Sequence, residues 1–222
     1  MKLLALDTST ELASVALLVG DALYSEEQGS QKMHAQLLLP MIDRLLVQSS
    51  LRVHQLDGIV FGCGPGSFTG LRIACSIAKG LAFAHNIPLI PVSCLAAISS
   101  AAREQQDYAY SPVLAVLDAR MHELYWSYFS KDEWVSVDRV NAVQEIQIPN
   151  EGPVVLAGVG IDAYWDDFPA SLKAQISTRL TLYPNAATMI RLAKRAAIKP
   201  VLAAVAQPLY VRNQVTQGDS RG

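Results

Sequence analysis

The chain has 222 residues, with 18 Lys and Arg against 20 Asp and Glu, a net charge of −2 and a pI near 6.1. Hydrophobic residues make up 51% and charged ones only 17%, which excludes global disorder, a strongly basic nucleic-acid binder and an acidic tail protein. The length fits one large domain or two small ones, and a mean hydropathy of +0.23 implies a very complete core or apolar surface reserved for a partner.

At the N-terminus, Lys2 precedes only four apolar residues before Asp7, too few for the apolar stretch of a signal peptide. Leu3 to Leu6 and Leu12 to Val19 read as two strands joined by the hydroxyl-rich turn Asp7-Thr8-Ser9-Thr10-Glu11, and Gly20-Asp21 turns the chain into a third at Ala22 to Glu26. Ser30 stands as N-cap of a helix bearing His34, Leu37, Leu38, Met41, Ile42, Leu45 and Leu46 at helical spacing, with a kink expected at Pro40. A strand at Gly58 to Gly62 leads into Cys63-Gly64-Pro65-Gly66-Ser67-Phe68-Thr69-Gly70-Leu71-Arg72, and a long helix follows to about Ala84. A strand at Ile87 to Val92 and a helix capped by Ser93 complete this unit. The stretch Gly80 to Ala102 has no charged residue, but Pro88 and Pro91 interrupt it, so helix, strand, helix describes it and a membrane span does not.

A second, shorter copy follows. Val113 to Leu117 ends at Asp118 as the first strand ends at Asp7, and Glu123 to Phe129 and Trp134 to Val140 supply two more strands about the turn Lys131-Asp132. Val154 to Ala157 reads as another strand before Gly158 and Gly160, and Asn185 caps a last helix through Arg195. Three antiparallel strands followed by helix, strand, helix resemble the ribonuclease-H-like half of the actin-like (ASKHA) α/β fold. The expected organisation is therefore two similar halves, 1–107 and a smaller, eroded 108–222, whose last helix packs back on the first half.

The chemistry is sparse. Phosphate-binding hairpins use glycine to bring backbone N–H groups close to an anion. The turn Asp7, Thr8, Ser9, Thr10 has none, so it reads either as an ordinary polar hairpin or as a hydroxyl-lined anion site. Gly62 to Gly70 lacks the lysine of a P-loop, leaving a rigid turn with Ser67 as N-cap and free N–H groups beyond it. No Gly-x-Ser-x-Gly elbow occurs. His34 has Leu38 four residues on, so no helical histidine pair exists, and His54, His85 and His122 have no arranged partners. The three cysteines, Cys63, Cys75 and Cys94, lack metal-ligand spacing and read as reduced, buried thiols of a cytoplasmic protein.

Two surfaces stand out. Gly70, Ala74, Ala78 and Ala82 recur four apart, beside Leu71, Ile77, Leu81 and Phe83, and such a ridge admits a neighbouring backbone closely. Leu38, Met41 and Leu45 on the preceding helix form a matching stripe; the same ridge serves equally for packing inside the chain. Between Asp167 and Asp219 there is no acidic residue but seven cations, Arg191, Lys194 and Arg195 among them; the segment either meets RNA phosphates or, from Arg191 to Lys199, complements a helix C-terminus.

Several runs are specific. Leu4 to Thr10, His34 to Ile42, Gly64 to Arg72, Asp118-Ala119-Arg120 with Glu123 and Tyr125, and Pro208-Leu209-Tyr210-Val211-Arg212 resemble the bacterial TsaB (YeaZ) family, in its order, from Leu4 to Arg212. The resemblance implies an actin-like duplicated fold and a part in making threonylcarbamoyladenosine at position 37 of tRNA. It implies a subunit that is not the catalyst and pairs with its paralogue TsaD, with TsaE as ATPase, and with itself when alone. On that view ATP or ADP and metal belong to the partners, tRNA is met only through the complex, and no membrane is involved. The family's contact through the first two helices maps onto His34, Leu38, Met41 and Leu45 and onto Gly70, Ala74, Ile77, Ala78 and Leu81. The apolar run Val201 to Gln207 is stronger than the family pattern and is unassigned by it. Two other classes remain to be weighed: a small actin-fold ATPase or kinase, from the duplicated order and Asp7, and a metallopeptidase, from kinship with proteins once called glycoproteases.

Overall fold

Strand β1 (Lys2–Asp7) is apolar on both faces, as expected of a strand covered on both sides. The computed structural model, which describes residues 1–29 and 33–211, shows it at the centre of its sheet. It pairs antiparallel with β2 (Leu12–Val19), which pairs with β3 (Ala22–Gly29), and parallel with β4 (Gly58–Gly64), beside which β5 (Leu89–Ser93) closes the order β3-β2-β1-β4-β5. Leu4 and Leu6 point to one face, against helices α1 (His34–Gln48) and α2 (Phe68–His85). Leu3 and Ala5 point to the other, against α3 (Cys94–Arg103) and α6 (Ala186–Arg195).

The second half repeats the plan. Strands β6 (Val113–Asp118), β7 (Glu123–Phe129), β8 (Arg139–Ala142), β9 (Val154–Gly158) and β10 (Ile176–Thr181) are ordered β8-β7-β6-β9-β10, the first sheet's order position for position. The chain therefore has the actin-like α/β fold with two similar halves. Only the short α4 (Ile161–Tyr164) and α5 (Ala170–Lys173) stand where the first half carries α2. Helix α6 crosses back, and its first N–H is bound by Ser14 Oγ of β2 at 2.9 Å. Together α3 and α6 fill the space between the sheets, where Val113, Ala115 and Leu117 meet them from the second half.

Ser67, Ser93 and Asn185 cap their helices through side-chain oxygens, as their sequence positions imply. Ser30 lies outside the described residues, and α1 begins beyond it with Met33 in the cap position. Helix α1 continues on both sides of Pro40, an exposed position whose missing N–H leaves the Gln36 carbonyl without its helical donor. The third strand of the second half starts at Arg139, not Trp134. Residues 134–138 are instead drawn towards the first half, Trp134 lying under Arg103 and Asp138 accepting from Ser93 Oγ at 2.8 Å. All three thiols are free and buried, and no helix among the described residues is long and apolar enough to cross a membrane.

Candidate functional site: the cleft between the halves and the outer helical layer

Asp7 ends β1 and is fully buried. Its Oδ1 accepts from Ser9 N at 3.1 Å and Ser9 Oγ at 2.8 Å, and its Oδ2 accepts from Cys94 Sγ at 3.7 Å. A Cβ on Gly62 would stand 1.9 Å from Oδ2, so glycine there makes room for the carboxyl. Thr8 Oγ1 donates to the Gly70 carbonyl at 2.7 Å, and Ser67 N donates to the Ser9 carbonyl at 2.7 Å. A Cβ on Gly66 would lie 2.5 Å from the Ser9 carbonyl oxygen, and one on Gly70 would lie 1.8 Å from that of Thr8. The glycines of Gly64 to Arg72 thus let the start of α2 nest directly on the hairpin. Of the candidate anion hairpin, all four residues are buried and make contacts within the chain, Thr10 Oγ1 accepting from Leu12 N at 3.3 Å, and only Ser9 and Thr10 also line the cleft.

Burial pushes the Asp7 carboxyl up to about 6, against the hydrogen bonds from Ser9 and Cys94 that pull it down. A carboxylate raised in the folded state favours folding while protonated, so its contribution is full below about pH 3.8 and is lost as pH rises through about 6. Asp7→Asn keeps the Oδ1 acceptor and removes the charge. It is expected to gain ~1–3 kcal/mol over the native chain near neutral pH and little or nothing near pH 4, as read from denaturant titrations at both. A gain that does not change with pH contradicts this assignment.

A cleft of about 570 Å³ opens between the halves, and the specific sequence runs, His34 to Ile42 excepted, converge on it. Thr10 and Ser67 line one side, Asp118, Arg120 and Tyr125 the other, and Tyr210 closes one end. Asp118 is organised as a hub: its Oδ1 accepts from Arg120 N at 2.7 Å and Tyr164 Oη at 3.0 Å, and its Oδ2 pairs with Arg120 Nη1 at 3.1 Å. The turn it controls holds Arg120, Met121 and His122 at φ of 65°, 56° and 58°, three successive non-glycine residues in the left-handed region. In the sequence Asp118 reads as the counterpart of Asp7, and no local pattern places it at a site.

The histidines do not gather at the cleft. His34 Nε2 lies 3.2 Å from the Glu11 carbonyl oxygen, and His122 Nδ1 lies 3.6 Å from Asp167. His54 and His85, read as having no arranged partners, meet edge to face at 5.9 Å. Among the described residues, no three His, Cys, Asp or Glu stand together in a way that would hold a metal ion.

The helical ridge requires a correction. Gly70, Ala74 and Ala78 face the chain's own sheet and hairpin, and Ala74 and Ala78 are completely buried. Leu38, Met41 and Leu45 are buried beside them, as is His34, so none of these side chains is available to a partner. The ridge is small because α2 lies close over β4 and β1. Ile77 and Leu81 are half-buried and remain at the surface, where Leu39, Val47 and Phe83 are exposed. The outward stripe of α2 is Arg72, Ser76, Gly80 and Ala84. A Cβ on Gly80 would meet nothing within 4 Å, so no contact inside the chain calls for glycine in the middle of this helix.

The basic segment is also largely engaged. Arg191 donates twice to Glu104, both at 2.7 Å, and the Arg195 guanidinium lies 4.3 Å from the Trp134 ring centroid. All three residues expected to contact RNA are exposed, and two of them, Arg191 and Arg195, are engaged by Glu104 and Trp134.

Fold and cleft together define an actin-like protein whose first hairpin is sealed by its own helix and whose outer layer carries exposed apolar side chains. Residues 26–217 match a family model described as TsaD, tRNA N6-adenosine threonylcarbamoyltransferase. The tRNA threonylcarbamoyladenosine biosynthesis protein TsaB of Haemophilus influenzae is 35% identical, over 97% of this chain and 95% of its own. The protein of the same name from Escherichia coli is 34% identical, over 97% and 96%. The solved structure of YeaZ from Pseudomonas aeruginosa superposes with a TM-score of 0.84 at 35% identity, covering 94% of this chain and 99% of the other. The chain belongs to the TsaB (YeaZ) family.

Proposed function

We propose that this chain is a non-catalytic subunit of the machinery that makes threonylcarbamoyladenosine at position 37 of tRNA, and that its work is to dock on and support the catalytic paralogue TsaD. The observation that carries the reading is the sealed hairpin. Asp7, which a kinase or ATPase of this fold would turn towards its ligand, is enclosed by Ser9, Cys94 and Gly62, with the start of α2 covering the turn. The names of the TsaB relatives supply the pathway, and the match to the TsaD family model supports pairing between proteins of like fold. In this reading TsaE, ATP or ADP and the metal act on the partner side. The subunit is cytoplasmic, pairs with itself when alone, and meets tRNA through the complex.

The docking surface is the outer face of α1 and α2, with Ile77, Leu81, Leu39 and Phe83 around Gly80. Glycine in a helix interior costs ~1 kcal/mol relative to alanine, a cost that a close-packed partner backbone offsets. Gly80→Arg tests this cleanly, because space is open there in the single chain. The variant is expected to fold as well as the native protein or better by ~0.5–1 kcal/mol. It should also lose affinity for TsaD by about a hundredfold in co-purification and titration. Undiminished pairing overturns the surface assignment.

A further inference from the structure

In Val135-Ser136-Val137-Asp138-Arg139 the usual partition of side chains is inverted. Val135 is 61% exposed and Val137 66%, while the carboxyl of Asp138 is turned into the molecule. Its Oδ2 accepts from Ser93 Oγ at 2.8 Å, and the same hydroxyl oxygen accepts from Ala96 N at 3.2 Å as the cap of α3. A carboxyl of the second half is thus seated on a helix of the first. Its other oxygen, Oδ1, is buried and accepts no hydrogen bond. The nearby Ser127 hydroxyl spends its proton on the Val137 carbonyl at 3.0 Å. A buried oxygen without a donor is tolerable on a neutral carboxyl and costly on a carboxylate.

Burial pushes the Asp138 carboxyl up to about 6, against the pull of Ser93, Ser127 and Arg139. The thiols facing this cluster do not compete for the proton. Cys63, at the end of β4, is pushed up to about 12 by burial first and by Asp138 next, and burial holds Cys94 of α3 well above the usual thiol range. Both stay neutral. Asp7, which bears on Cys63 from β1, is the other group among the described residues here that titrates near 6.

We infer that Asp138 is a proton-operated latch between the two halves, closed on Ser93 when neutral and loosened when ionised. A carboxyl raised by docking favours the docked segment in full below about pH 3.8, and that contribution is lost as pH rises through about 6. With the freed carboxyl at its ordinary value of 3.8, docking of residues 134–138 tightens about tenfold from about pH 7.5 to about pH 5.

Thermolysin cleavage within residues 131–141 of the full-length protein reads the undocked population, once each rate is divided by that of a free peptide of the same sequence at the same pH. The native protein is expected to be cut about tenfold more slowly near pH 5 than near pH 7.5. Asp138→Asn keeps an oxygen for Ser93 and carries no charge. Its rate should be equal at both values and as slow as that of the native protein in acid. Asp7→Asn should keep the native change. A native rate that is the same at both values overturns the latch, as does a change that survives in Asp138→Asn or vanishes in Asp7→Asn. Where Asp138→Asn does not fold, the native pair of rates decides.

Discussion

Ala78→Glu is expected to unfold the protein rather than merely to separate it from a partner. Ala78 is completely buried on the sheet-facing side of α2, in the same core cluster as Leu4, Leu6, Phe61 and Met41. A carboxylate placed there has no partner to compensate its lost hydration, and the close approach of α2 leaves no volume for it. A loss of at least ~4 kcal/mol follows, a drop in thermal midpoint of ~8–16 °C for a chain of this size. The measurement is a far-UV circular dichroism melt of the variant. A soluble Ala78→Glu protein with a native midpoint would show that the small-residue ridge faces outward, and the corrected orientation of α2 would fall with it. The contrast with Gly80→Arg, two residues along the helix, is the sharpest available statement of which side of α2 is which.

The second large effect belongs to Arg103. This residue ends α3, is buried, and donates to four backbone carbonyls: Ser111 at 3.2 Å, Phe129 at 3.3 Å, and Ser130 and Glu133 in short contacts. Its guanidinium also lies 5.0 Å from the Trp134 ring centroid, and burial lowers its pKa from the usual arginine range. One side chain thus ties the last helix of the first half to the strand end and loop of the second. Arg103→Met retains the stem and strands the carbonyls, for an expected loss of ~3–4 kcal/mol. Arg103→Lys should recover only a minority of it, because an ammonium directs three donors from one point and cannot reproduce the planar fork. Melts of both variants decide this; a loss under ~1 kcal/mol in Arg103→Met would show that the two halves are held together elsewhere.

Much of this architecture is legible in the residues. The strand ends at Asp7 and Asp118, the caps Ser67, Ser93 and Asn185, and the turn at Gly20-Asp21 lie where local chemistry puts them, because each depends on neighbours a few positions away. β10 is not legible: Ile176 to Thr181 alternates half-buried and exposed residues that include Ser177, Thr178 and Arg179, so no apolar run marks it. The expected strand from Trp134 starts late for a tertiary reason, since Arg103 and Ser93 draw residues 134–138 to the other half. The direction of α2 is hidden for a different reason. Small and apolar residues occur on both its faces, so periodicity marks two stripes and does not say which is inside. Only Gly80, whose Cβ would meet empty space, and Gly70, whose Cβ would collide with Thr8, separate them. The cleft needs Thr10, Asp118 and Tyr210 together, residues a hundred positions apart that local patterns cannot join.

The central claim is that this chain supports catalysis without performing it. The most direct test is formation of threonylcarbamoyladenosine on tRNA by purified TsaD and TsaE, with a threonylcarbamoyl-donating substrate and ATP supplied, in the presence and absence of this protein. The account predicts no product from this chain alone, little from the partners alone, and full modification on recombination. Turnover by the isolated chain, or an undiminished rate without it, would contradict the account.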